Sequence, residues 1–191
     1  MKKMVFVIDM INGFCKQGSL ANKKSLEMVP LLREFLNQFD GEKVEARDCH
    51  TKDSKEFLVY PVHALKGDYE SEGIDELRVV LVDSILFEKN STNLVLVPGF
   101  IDFILKEKPD EVTITGCCTD ICIMQFALTL KALFNQYNLG CDIIVYDNLV
   151  DTYNGPNHDR EYYHEAALNF MRNMGIIIKH YETNKVMKKV G

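Results

Sequence analysis

The alternation of short apolar runs with longer helical stretches is the feature that most constrains the fold of this chain. Apolar, β-branched runs predict strands, whereas apolar residues that recur three and four positions apart predict helices. Strands are predicted at 4–9, 43–48, within 79–89, and at 111–116, 141–147 and 176–181. Helices are predicted at 23–39, where Pro30 indicates a late start or a kink, and at 99–108, 119–138 and 157–175. Strands followed by helices predict an α/β fold, with a mostly parallel six-stranded sheet as the middle of three α/β/α layers.

Length and charge limit what else the chain can be. Its 191 residues suit a single domain, 1–191. The formal net charge is −6, and the only basic cluster lies at 184–191, which we expect to be a solvated tail, so nucleic acid is not an expected partner. No apolar run approaches the roughly 20 residues that span a bilayer, which argues against a membrane protein. The first ten residues, MKKMVFVIDM, lack the cleavage site of a signal peptide, so we expect a cytoplasmic protein.

Polar residues that follow the predicted strands are the candidates for a functional site. In an open α/β sheet, ligands bind beyond the carboxyl ends of the strands. The residues found there are Asp9, Asp48 with His50, Lys89, and the segment TGCCTDIC at 115–122.

That segment contains Cys117, Cys118 and Cys122, half of the six cysteines of the chain. Two of them are adjacent and the nearest further cysteine is Cys141, which does not suit a zinc site built from paired ligands. A reducing cytosol argues against a disulfide. Cys122 lies in the first turn of a predicted helix, where backbone N–H groups favour a reactive thiolate. The residues alone leave two interpretations open, a nucleophile or small buried apolar side chains.

Five motifs in chain order carry a resemblance to a known family. They are VIDMINGF (7–14), DCH (48–50), YPVHALKGDYESE (60–72), EKNSTN (88–93) and TGCCTDIC, of which the pattern GxxTDxC after a strand is the most specific. With these motifs the chain resembles the isochorismatase-like cysteine hydrolases, and within them the nicotinamidase/pyrazinamidase branch. The resemblance implies a Rossmann-like α/β fold and hydrolysis of an amide through a thioester.

The resemblance also implies roles for individual residues. Cys122 would be the nucleophile, Asp9 the proton carrier and Lys89 the cation that keeps both in their charged forms. The Cys117–Cys118 peptide would be cis, and the N–H groups of Cys118 and Cys122 would form an oxyanion hole.

A metal site is implied as well. Asp48, His50 and His63 match the ligands of the family, and Glu56, seven residues before His63, matches a fourth ligand used by one group of nicotinamidases. Side chains alternate along a strand, so Cys49 is predicted to point away from Asp48 and His50. Mixed oxygen and imidazole ligands suit one divalent transition metal, with zinc as the first expectation and iron or manganese as alternatives. Without the resemblance, the same residues could be an exposed polar pair and a loop histidine.

The activity implied is hydrolysis of nicotinamide to nicotinate and ammonia, a step of NAD salvage, with Phe14 packed against the substrate ring. Homo-oligomers are common in the family. The segment NSTNLVLVPGF (90–100) departs from the branch, which leaves another amide, carbamoyl or isochorismate-like substrate open. A binding protein that kept the fold without the chemistry is the alternative from another class. His158 and His164 are spaced six apart and are predicted to be surface residues.

Overall fold

The computed structural model describes residues 1–183, and the predicted basic tail at 184–191 lies outside the described residues. Six strands form one sheet in the order β3-β2-β1-β4-β5-β6, and all neighbouring strands are parallel. The strands are β1 (Lys3–Ile8), β2 (Glu42–Asp48), β3 (Ile85–Lys89), β4 (Glu111–Cys117), β5 (Asp142–Asp151) and β6 (Ile177–Lys179). The predicted α/β sheet is therefore confirmed, and it is parallel throughout.

β1 lies inside the sheet and is buried on both of its faces. Met4, Phe6 and Ile8 belong to one apolar cluster, whereas Val5 and Val7 belong to the cluster on the opposite face. None of the five side chains is exposed. Burial on both faces is the reason why this strand reads as a continuous apolar run rather than an alternating one.

Helices cover both faces of the sheet. They are α1 (Asn12–Cys15), α2 (Val29–Gln38), α3 (Asp75–Arg78), α4 (Phe100–Glu107), α5 (Met124–Gln136) and α6 (Arg160–Asn173). The first three contribute to the cluster of Val5 and Val7, and the last three to the cluster of Phe6. The arrangement has the three predicted layers. None of the helices within residues 1–183 has both the length and the apolar character needed to cross a membrane.

Two helix boundaries differ from the prediction for local reasons. The helix predicted at 23–39 starts as a 3₁₀ turn, and α2 begins only at Val29, with Pro30 in its first turn, where a missing N–H costs little. The late start predicted from Pro30 is confirmed. The helix predicted at 157–175 begins at Arg160, because the Asp159 side chain accepts a hydrogen bond from the Tyr162 N–H at 2.8 Å and caps it.

Candidate active site

The carboxyl ends of four adjacent strands, β3, β2, β1 and β4, bring the predicted site residues to one edge of the sheet. Asp9 directly follows β1, Asp48 ends β2 and Lys89 ends β3. Cys122 follows β4 in a single π-helical turn, Thr119–Ile123, that leads into α5. Parallel strands thus bring together residues that are up to 113 positions apart in the sequence (122 − 9).

Lys89 is at the centre of this group. Its Nζ lies 2.8 Å from Asp9 Oδ2, donates a hydrogen bond to Asp48 Oδ1, and lies 3.8 Å from Cys122 Sγ. The Lys89 side chain is completely buried. A buried ammonium needs charged partners, and the two carboxylates provide them. They also hold the pKa of Lys89 well above its usual range, although burial alone would lower it.

Asp9 is a buried carboxylate with unusual basicity. Burial raises its pKa to about 7, the negative charge of Asp48 adds to the rise, and Lys89 opposes it. Its Oδ1 accepts a hydrogen bond from the Asp48 N–H at 2.8 Å, whereas Oδ2 lies 2.8 Å from Lys89 Nζ. The Asp9 carboxylate, the Asp48 carboxylate and the Cys122 thiol each offer an atom within 4.8 Å of the others. A group titrating near neutral pH at this distance suits transfer of the thiol proton.

The thiol of Cys122 is buried and sits among charges. Burial raises its pKa well above the ordinary value, the positive charge of Lys89 opposes the rise, and Asp9 adds to it. A pKa raised in this direction favours the thiol over the thiolate. Nucleophilic attack by Cys122 would need a base to remove its proton, and Asp9 is the neighbouring base.

Gly116 allows the turn that carries Cys122 to lie close to β1. A Cβ at this position would lie 2.0 Å from the carbonyl oxygen of Ile8. The backbone also has a φ of +110°, a value that residues with a side chain rarely adopt. The peptide bond between Cys117 and Cys118 is cis, as the family resemblance implied. The glycine of the GxxTDxC pattern is thus required by backbone contact with β1.

A second group of side chains lies beside Asp48. Asp48, His50 and His63 are buried, and each offers one ligand atom within 4.8 Å of the other two. Asp48 Oδ2 lies 3.6 Å from His50 Nε2 and 3.9 Å from His63 Nε2. Ligands bound to one tetrahedral metal ion at about 2.0–2.1 Å lie roughly 3.3 Å apart, so small movements would bring these three to bonding distance.

In each of the two histidines, the contact made by Nδ1 determines whether Nε2 presents a lone pair to the space between the three side chains. His63 Nδ1 donates to the Pro61 carbonyl at 2.8 Å, which leaves a lone pair on Nε2. His50 Nδ1 lies 3.2 Å from Asn90 Oδ1, an oxygen that also accepts from the Thr51 N–H. His50 Nε2 is buried without a hydrogen-bond partner among the described residues. Two imidazole lone pairs and a carboxylate oxygen that face one buried point fit a divalent cation.

Glu56 and Cys49 lie outside this trio. Glu56 Oε2 is 3.8 Å from His50 Nε2, while its Oε1 accepts from the Thr92 N–H at 2.7 Å, so the carboxylate links the trio to the loop after Lys89. Cys49 is not part of the metal-type clusters formed by the described residues.

One cavity of about 470 Å³ opens onto both groups. Its lining includes Cys122, Asp48 and His63. Phe14 also lines it, with its ring 5.6 Å from the ring of His63. The lining contributed by the described residues contains two carboxylates, those of Asp48 and Glu56, but no lysine or arginine. The described lining therefore offers no cationic side chain to a negatively charged ligand.

The family model described as the isochorismatase domain matches residues 3–182. The chain belongs to the isochorismatase family. Its six-stranded parallel sheet with helices on both faces is thus the fold of an isochorismatase-like hydrolase.

Known members similar to this isochorismatase-family chain differ in substrate. Nicotinamidase 1 of Arabidopsis thaliana is 25% identical over 177 residues, which cover 80% of this chain and 70% of the plant protein. N-carbamoylsarcosine amidase from Thermoplasma acidophilum is 26% identical, with a TM-score of 0.76 over 96% of this chain and 99% of the amidase. The pyrazinamidase of Pyrococcus horikoshii, solved in complex with zinc, is 18% identical, with a TM-score of 0.74 over 95% and 100% of the two chains. The last similarity shows a shared fold alone.

Sequence reasoning missed two contacts of this isochorismatase-like site. His158 and His164 are partly buried, so the prediction that they are surface residues is wrong. His164 Nδ1 lies 2.9 Å from Thr119 Oγ1, and His158 Nε2 lies 2.8 Å from Asp120 Oδ2. Both partners belong to the GxxTDxC motif. An aspartate in a turn at a buried site needs a donor, and this need was the signal available in the sequence.

Proposed function

We propose that the chain is a metal-dependent cysteine amidohydrolase that converts nicotinamide to nicotinate and ammonia, a step that returns nicotinamide to NAD synthesis. The observation that carries the proposal is the shared cavity. It opens onto the Cys122 thiol and onto the side of Asp48 and His63, and no lysine or arginine of the described residues lines it. Nicotinamide is neutral and needs no cationic partner, whereas the carboxylates of N-carbamoylsarcosine and ureidoacrylate would lack one there.

Asp48, His50 and His63 would hold the metal, with Glu56 as a fourth ligand. Bound there, a divalent metal ion would supply a Lewis acid that binds the pyridine nitrogen and orients the ring. Zinc is the metal we expect first, with iron or manganese as alternatives. Phe14 packs beside His63 and would contact the flat face of the ring.

Acylation follows from the arrangement around Lys89. Asp9 takes the thiol proton, and the Cys122 sulfur attacks the carboxamide carbon to form a C–S bond. The backbone N–H groups of Cys118 and Cys122 would stabilise the oxyanion. The intermediate collapses when Asp9 returns the proton to the amino group, the C–N bond breaks, and ammonia leaves a thioester on Cys122.

Deacylation uses the same groups in reverse. Asp9 removes a proton from a water molecule, and the water oxygen attacks the thioester carbon. The C–S bond then breaks, the proton on Asp9 restores the Cys122 thiol, and the carboxylic acid leaves and loses its remaining proton to solvent to give nicotinate. Lys89 contacts Asp9 throughout and favours the charged forms of both the carboxylate and the departing thiolate.

An amide or carbamoyl compound other than nicotinamide is the second candidate. The 26% identity to an N-carbamoylsarcosine amidase supports it. So does the loop after Lys89, which brings Thr92 rather than an aromatic side chain to the cavity.

Ammonia release from nicotinamide, pyrazinamide, N-carbamoylsarcosine and ureidoacrylate separates the two candidates. We expect turnover of the two neutral ring amides, and loss of that activity when a chelator removes the metal. Hydrolysis of only the carboxylate-bearing compounds would refute the nicotinamidase proposal, and full activity in protein shown by elemental analysis to hold no metal would refute its metal dependence.

A further inference from the structure

Asp120 connects the nucleophile turn to the segment that follows β5. It lies two residues before Cys122, and its carboxylate accepts two hydrogen bonds. Thr152 Oγ1 donates to Oδ1 at 2.5 Å, and His158 Nε2 donates to Oδ2 at 2.8 Å. The Asp120 and His158 side chains are each only 11% exposed, so water weakens their interaction little.

All faces and both nitrogens of the His158 ring are in contact with neighbours. The ring is stacked between Tyr153, at 3.9 Å and 6°, and Tyr163, at 4.0 Å and 15°. Its Nδ1 lies 3.0 Å from the Tyr153 carbonyl oxygen. Asp120 and this carbonyl are both hydrogen-bond acceptors, so each ring nitrogen of His158 faces an acceptor.

The segment held in this way forms one wall of the cavity. Residues 153–156 line the cavity next to Cys118 and Cys122, whereas His158 does not line it. The wall ends in a tight turn, in which Gly155 and His158 exchange backbone hydrogen bonds of 2.9 and 3.0 Å. His158 therefore anchors the wall through its backbone and through its side chain.

We propose that His158 is a positioning residue that fixes the 153–156 wall on Asp120 and thereby sets how tightly the cavity holds its amide substrate. The inference rests on the proposed function for the identity of that substrate. According to this inference, the contact between Asp120 and His158 affects how tightly the substrate binds and does not affect the reactivity of Cys122.

Two variants of His158 separate the contribution of its ring stacking from that of its hydrogen bonds. His158→Phe keeps a stacked ring and removes both N–H donors, whereas His158→Gln keeps a donor and removes the ring. The control is His180→Gln, since His180 also pairs with an aspartate, Asp147, at 2.7 Å but is 62% exposed and does not line the cavity. Circular dichroism and thermal unfolding establish that each variant is folded. If His158→Phe does not fold, Tyr163→Leu removes one face of the stack and carries the same expectation.

We expect His158→Phe to raise the KM for nicotinamide about tenfold, as loss of a charge-assisted hydrogen bond would, with kcat changed less than about twofold. The rate of Cys122 alkylation by iodoacetamide should match the wild type. Hydrogen exchange of the Gly155 and His158 amides should accelerate. His158→Gln should show a smaller change in the same direction, and His180→Gln none.

An unchanged KM, or unchanged exchange of the two amides, would overturn the inference. Equal falls in kcat and in Cys122 alkylation would also overturn it, because they would place the effect on the nucleophile. If the wild type does not hydrolyse nicotinamide, the proposed function fails separately, and KM is measured with whichever amide of the panel is hydrolysed. The exchange measurement needs no substrate and still tests the role of His158.

Discussion

Replacing Lys89 with Met is expected to slow alkylation of Cys122 at any given pH. Lys89 is the cation beside the thiol, with its Nζ 3.8 Å from the sulfur. Burial raises the pKa of Cys122, whereas the positive charge of Lys89 opposes that rise. Without the ammonium the thiolate becomes less stable, the pKa rises further, and a smaller fraction of the protein is reactive.

The geometry sets the size of the effect. Two unit charges 3.8 Å apart interact by about 4 kcal/mol at an effective dielectric constant of about 20, which corresponds to roughly three pH units in the pKa of the thiol. Relaxation of the site reduces this upper value. We therefore expect alkylation at pH 8 to slow at least about tenfold, the effect of one pH unit.

The assay follows iodoacetamide labelling of Cys122 as a function of pH, with fragment-ion mass spectrometry to distinguish it from Cys118. Asp9→Asn should shift the profile in the opposite direction, because the Asp9 charge raises the pKa of the thiol. Its ammonia release should nevertheless fall about 10²- to 10⁴-fold, since the base is lost. Lys66→Met is the control, because Lys66 forms an exposed ion pair. A Lys89→Met profile that overlays the wild type would refute the role of Lys89.

Three further outcomes test other parts of the site. Cys122→Ala should abolish ammonia release without lowering the melting temperature, whereas Cys117→Ser should retain most activity, and equal losses would contradict the assignment of the nucleophile. His63→Ala should reduce metal content, measured by elemental analysis, from about one ion per chain to near zero, and full retention would remove His63 from the ligand set. Gly116→Ala should lower the melting temperature by about 5–10 °C in thermal unfolding, because its Cβ would lie 2.0 Å from a β1 carbonyl oxygen. Gly140→Ala, where a Cβ meets open space, is its control, and equal melting temperatures would contradict this reasoning.

The elements that the sequence predicted well are those determined by local pattern. β1 and β4 read as buried strands because both faces are covered, and the parallel arrangement then requires Asp9, Lys89 and Cys122 to meet at one edge. The structure brings the three together, and their catalytic roles remain predictions. Gly116 was part of a recognisable motif, but the contact with Ile8 that requires a glycine is visible only in the structure.

The contacts of His158 were missed because they depend on register between strands. Ile114 of β4 pairs with Val145, yet Gly116, two residues later, pairs with Val150, so β5 contains a bulge. This bulge shifts the end of β5 relative to β4, so that the segment after β5 lies next to the GxxTDxC motif. His158 also precedes α6, so reasoning from the faces of a helix did not apply to it. Residue spacing carries no information about a bulge that forms through tertiary pairing.

Asp48 joins the proposed catalytic group to the proposed metal site. Its Oδ1 accepts from Lys89, its Oδ2 faces His50 and His63, and its N–H donates to Asp9. Two buried carboxylates and one buried ammonium sum to a net charge of −1 when Asp9 is ionised (−2 + 1). An uncompensated buried charge is costly, and protonation of Asp9, whose pKa is raised to about 7, is one way to remove it. A divalent cation held beside Asp48 would be another, and it would leave Asp9 ionised and able to accept the thiol proton. The same carboxylate thus gives the metal site and the nucleophile site a common electrostatic reason to be adjacent.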